Sequence, residues 1–90
     1  MPQFVIERKI EDPSNFTEAD IREVSLKSLE VLRQLGSEIQ WIQSFVTDEK
    51  IYCIYYAPDE AIIREHGKRS NMRVDRVAAV RRLVDPATFA

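Results

Sequence analysis

Cysteine occurs once in the 90 residues, as Cys53, so the chain can form neither an internal disulfide nor a CxxC zinc site. Long apolar runs are missing as well. No stretch approaches the roughly 18–20 residues of a membrane-spanning helix. The opening Met1-Pro2-Gln3-Phe4-Val5-Ile6-Glu7-Arg8 meets a charge too early for the core of a secretory signal, and we expect a cytoplasmic protein with no membrane partner. An excess of positive charge is also lacking. Lys+Arg is 13 against Asp+Glu 15, a net charge of −2, which speaks against a generally basic nucleic-acid binder because phosphate recognition needs surplus cations. No GxGxxG, P-loop or HExxH pattern occurs, so nucleotide and zinc-protease chemistry have no footing in the sequence. With one histidine and scattered serines, no catalytic set stands out, and enzymatic turnover is not the expectation.

What is present describes an ordinary globular domain. Hydrophobic residues make up 44% and charged residues 31%, which separates the chain from disordered sequences. At roughly 100–200 residues per domain, residues 1–90 form one unit. A domain of this size buries only about 60% of its unfolded surface, so it gains by burying more against a copy of itself.

Two glycines and four prolines punctuate short elements. Phe4 to Ile10 reads as a strand ended by Asp12-Pro13-Ser14-Asn15. Thr17-Glu18-Ala19-Asp20 resembles a capping box, and Ile21, Val24, Leu32 and Leu35 then recur at helical spacing, with Leu29 and Val31 widening the stripe and Gly36 as C-terminal cap. Ile39–Val46 and Ile51–Tyr56 read as strands joined by the polar loop Thr47-Asp48-Glu49-Lys50. Pro58, in the first turn, opens a second helix that runs to Lys68 or Arg69. Residues 74–84 suit a strand or a short helix by periodicity. We assign a strand, because the order then closes as a ferredoxin-like βαββαβ unit: a four-stranded antiparallel sheet with two helices on one face.

A four-residue loop pairs Val46 with Ile51 and sets the hairpin register. One face then carries Ile42, Ser44, Val46, Ile51, Cys53 and Tyr55. The other carries Trp41, Gln43, Phe45, Tyr52, Ile54 and Tyr56. With the helices over the first face, the second is an exposed apolar surface that a homodimer would bury. A bulge or a one-residue slip would exchange the faces. Val5 and Glu7 join the aromatics. Glu7 either pairs with an arginine such as Arg81 or Arg82 or marks a ligand site on that face, with Trp41, Gln43, Tyr52 and Tyr56 as candidate ligand contacts. His66 lies in line with Asp59, Ile62 and Ile63, beside the buried stripe of the second helix. It is either a hydrogen-bonded packing residue or a metal ligand, for which Glu7, Asp59, Glu60 and Glu65 are the available oxygen donors, some of them from a second subunit. Cys53 reads as a small buried hydrophobe, and the cations from Arg64 to Arg82 as a solvated face with salt bridges.

Gln40-Trp41-Ile42-Gln43-Ser44, Lys50-Ile51-Tyr52-Cys53, Ala57-Pro58-Asp59-Glu60, Arg64-Glu65-His66 and Val84-Asp85-Pro86 occur in that order. Together with Phe4-Val5-Ile6-Glu7-Arg8, this pattern resembles a family of small bacterial proteins catalogued mainly as a domain of unknown function, which includes a nickel-binding, nickel-responsive actinobacterial member. The resemblance implies a ferredoxin-like α+β fold, a homodimer and, in at least one member, binding of nickel ions. Glu7 and His66 lie in matching segments. After the histidine, a Gly-Phe-Pro-like turn is replaced here by Ser70-Asn71-Met72-Arg73. We therefore expect a dimeric metal-binding protein, nickel first, acting in buffering, storage or sensing. The alternatives are a small dimeric α+β-barrel enzyme or small-molecule binder using the aromatic sheet face, or a plain interaction module.

Overall fold

The computed structural model describes residues 1–89, and its elements grow from local signals. Strand β1 spans Gln3–Lys9, helix α1 Glu18–Leu35, β2 Gln40–Val46, β3 Lys50–Tyr56, helix α2 Glu60–Arg69 and β4 Arg76–Ala79, with 3-10 turns at Pro13–Asn15 and Pro86–Phe89. Helix α1 begins in a complete capping box: the Thr17 side chain accepts from the Asp20 N–H, while the Asp20 carboxylate accepts from the Thr17 N–H at 2.8 Å. It ends at Gly36, whose φ of +87° suits glycine alone among the common residues. Helix α2 is capped by Asp59, which accepts from the Ile62 N–H at 3.1 Å, so Pro58 stands just outside the helix rather than in its first turn.

The strands form one antiparallel sheet in the order β2-β3-β1-β4, with both helices packed on one side. This is the ferredoxin-like α+β architecture. Phe4, Ile6, Cys53 and Tyr55 point from the sheet into the core and meet Ile63 of α2; Leu32 and Leu35 of α1 pack against that cluster. Ile6, Tyr55, Val31 and Ile63 are sealed from solvent, each contributing about 1.5–3 kcal/mol by burial. Leu29, expected in the helix stripe, is instead exposed, as is Leu26.

The hairpin register holds from Val46↔Ile51 back to Gln43↔Ile54, and then slips. Trp41 pairs with Tyr55, leaving Ile42 as the extra residue of a β-bulge. Trp41 therefore moves to the helix side, where its indole N–H donates to the Ser44 hydroxyl at 2.9 Å, and Ile42 turns outward at 45% exposure. Strand β4 also departs from expectation, covering four residues rather than the whole of 74–84. Ala79 pairs with Phe4, and the Val80 N–H bonds to the carbonyl of Gln3, the first residue of β1. Leu83 and Val84 are consequently exposed.

Candidate functional site

Two faces of the sheet carry chemistry. On the face away from the helices, Phe45, Tyr52, Glu7 and Arg76 lie in one cross-strand row, and Gln43, Ile54, Val5 and Ala78 in the next. Phe45 is 53% and Tyr56 37% exposed, with Val5, Tyr52 and Ile54 partly so. This is the apolar surface expected from the register, without Trp41. Glu7 sits within it, and its carboxylate accepts from Lys50 Nζ at 3.1 Å, with Arg76 Nε at 3.9 Å on its other oxygen. The arginine partner is thus Arg76 rather than Arg81 or Arg82, and Lys50 is the nearer cation. The pair raises the Lys50 pKa, chiefly through the hydrogen bond to Glu7. Solvent-accessible pairs of this kind contribute little to stability.

Between sheet and helices lies a buried polar chain. His66 is fully buried on α2, on a stripe with Ile63, Gly67 and Ser70. Its Nε2 is 3.0 Å from the Ser28 hydroxyl of α1, and its ring tilts against Tyr55 with centroids 5.4 Å apart. Burial foremost, and then the charge of Arg8, push the imidazole pKa down to about 4, so it is neutral at pH 7; Ser28 acts weakly the other way. Burial likewise pushes the Tyr55 phenol up. Arg8, only 3% exposed, donates to the Arg73 carbonyl at 3.0 Å and to Tyr55 Oη at 3.5 Å. Among the described residues, nothing partners Arg8 Nε, His66 Nδ1 or the Ser70 hydroxyl.

These placements separate the residues singled out for metal binding. His66 is inside, whereas Glu7 is on the opposite face of the sheet. Asp59 is occupied as a helix cap, Glu60 pairs with Arg64 at 2.7 Å, and Glu65 with Arg69 at 3.1 Å. Among the described residues, no three of His, Cys, Asp and Glu gather to hold an ion. One chain thus brings together no three-donor set for nickel among the described residues, and the imidazole is sealed and hydrogen-bonded to Ser28. The expected ligand face is divided too: Gln43, Tyr52 and Tyr56 remain on the open side, and Trp41 does not. Cys53 is buried toward the helices as expected, with the Ser44 hydroxyl 3.1 Å from its sulfur.

Arg8, Ser28 and Tyr55 are the participants that sequence reading passed over. The signal for Arg8 was present. Phe4, Ile6, Arg8 and Ile10 alternate along β1, and the period of two puts the arginine on the buried face.

The family model described as "Nickel responsive protein SCO4226-like" matches residues 4–80, from the start of β1 to the end of β4. Among solved structures, the crystal structure analysis of SCO4226 from Streptomyces coelicolor A3(2) superposes with a TM-score of 0.78, covering 91% of this chain and 99% of that one. Sequence identity is 14%, so this likeness concerns the fold. No curated protein matches the chain.

Proposed function

This chain belongs to the SCO4226-like family of nickel responsive proteins, and from that premise we propose a homodimer that binds nickel as its cargo or effector, in metal buffering, storage or sensing rather than turnover. The family match across the whole sheet-and-helix unit carries the reading. The open sheet face supports the dimer: its partly exposed Val5, Tyr52, Ile54, Phe45 and Tyr56 make a surface that a second copy would cover.

Nickel accepts imidazole and carboxylate donors. With His66 sealed and no three donors meeting within one chain among the described residues, the ion on this reading is shared between chains. Carboxylates reachable from outside, Glu7 on the open face or Asp59, Glu60 and Glu65 along α2, are the donors. Glu7, Glu60 and Glu65 are at present paired with solvent-accessible cations, a weak pairing that yields readily to a metal, while Asp59 caps α2 through the Ile62 N–H.

Calorimetric titration of Ni²⁺ into metal-free protein, with light scattering on the same samples, tests this. We expect binding well below millimolar, fewer ions than chains, scattering mass of at least a dimer when loaded, and unchanged affinity in His66→Gln. Absence of binding below about millimolar defeats the metal reading. Tight binding by a particle that stays at 10.5 kDa defeats the shared site.

A further inference from the structure

On the helix side of the sheet, beneath the N-terminal half of α1, lies a cavity of about 190 Å³. Ile21 and Val24 of α1, Trp41 and Tyr55 of the hairpin, Met72 and Arg8 contribute to its wall. It is nearly all apolar, with one permanent cation. Val46, 47% exposed, also borders it, so the cavity reaches the surface near the hairpin turn.

Arg8 is the anomaly that gives this space a meaning. A guanidinium has five N–H donors and stays charged at every accessible pH. Here it is 97% buried, one donor meets the Arg73 carbonyl, another reaches Tyr55 Oη only at the outer limit of 3.5 Å, and Nε has no partner among the described residues. Among the described residues, no carboxylate comes within 4.0 Å of it. The acids nearest in sequence are engaged elsewhere: Glu7 with Lys50 and Arg76, Glu11 with Arg73. A buried charge is ordinarily paired and hydrogen-bonded, because its lost hydration is otherwise uncompensated. Water in the cavity would answer a donor but not the charge. An apolar wall, in turn, is poorly suited to a hydrated inorganic anion.

We propose that this cavity binds a small carboxylic acid whose apolar body is about the size of one aromatic ring, with its carboxylate on Arg8. Size and charge both select that class. An apolar cavity of about 150 Å³ accommodates benzene, so 190 Å³ holds a ring with a short arm and excludes long acyl chains. The planar guanidinium matches a carboxylate in fork-to-fork geometry, and its Nε, unclaimed by any group among the described residues, leaves part of that fork unused. The half-buried Ile21 and Val24 and the edge of Trp41 supply the apolar contact. The cavity lies across the sheet from the open face assigned to the dimer, and it shares none of its lining residues with the carboxylates proposed for nickel.

The test uses 3-phenylpropionate as the acid and 3-phenylpropan-1-ol as its neutral isostere, followed calorimetrically and through the emission of Trp41, the protein's single tryptophan. Wild type should bind the acid about tenfold or more tighter than the alcohol, with a change in Trp41 emission. Arg8→Met should erase that preference while keeping the alcohol. Val24→Trp, which fills the cavity from α1, should abolish both. Equal affinity for acid and alcohol in wild type overturns the proposal without recourse to any variant. So does acid binding that leaves Trp41 unperturbed, survives Val24→Trp, or fails to appear at millimolar concentration. Inorganic phosphate displacing the acid would overturn the ligand class.

Discussion

The buried imidazole makes a prediction that a single-histidine protein tests cleanly. In the unfolded chain His66 takes up its proton near pH 6.5; in the fold, burial and the neighbouring Arg8 charge hold it neutral down to about pH 4. The folded pKa is thus depressed for a basic group. Above pH 6.5 both states are neutral and the residue contributes no pH dependence. As pH falls from 6.5 to 4, the unfolded state binds a proton that the folded state refuses, and stability drops by about 1.4 kcal/mol per pH unit. Summed over that window, and allowing for relaxation around the ring, the loss is about 2–3 kcal/mol. That is a large part of the stability of a domain of this size. Urea unfolding at fixed protein concentration between pH 4 and 7.5 reads it directly, with His66→Gln as the reference that lacks the titrating group. Wild type should lose about 2–3 kcal/mol more than His66→Gln as the pH falls. The ring-proton resonance of His66 in the folded protein should stay put above pH 5. A folded-state resonance that titrates near 6.5, or parallel acid profiles for the two proteins, would refute the sealed-imidazole account.

Other consequences are equally local. Gly67→Ala, favourable in an open helix, should here destabilise by about 1–3 kcal/mol in urea, since the new Cβ would sit 2.6 Å from Val74 Cγ2. Thr17→Ala removes the capping box and should lower the urea midpoint by about 1 kcal/mol in stability, without changing the m-value. Ile54→Lys puts a charge in the middle of the open face and should leave a folded monomer by light scattering; a persistent dimer would mean association through another surface. Arg8→Met, which replaces an unpaired buried charge by an apolar side chain, should melt at or above the wild-type temperature in ligand-free protein. A lower melting temperature would show that the guanidinium is better satisfied than its contacts indicate.

Much of this molecule is written in its local order. Thr17, Asp20 and Gly36 bound the first helix because caps act through neighbours a turn away. The four-residue loop at Thr47–Lys50 sets the pairing of Val46 with Ile51 because a short loop leaves the chain few ways to return. From these the ferredoxin-like order and an open apolar face follow, and Cys53 goes to the covered side. Asn71, in the turn after α2, takes a left-handed φ of 56°, which asparagine tolerates better than most residues.

The rest was settled between segments distant in the chain. The bulge at Ile42 moves Trp41 across the sheet, and no pattern within β2 announces it, because a bulge is chosen by what the neighbouring strand and overlying helix accept. Strand β4 ends where its pairing with β1 ends, at Phe4↔Ala79, a boundary absent from its own apolar run. The fate of His66 depended on Ser28, 38 residues away, and on a guanidinium from β1 beside Tyr55. Residue type tells which side chains can carry charge or bind an ion. Whether such a group is solvated, paired or stranded depends on which segments fold against it, and only the assembled layers of sheet and helix settle that.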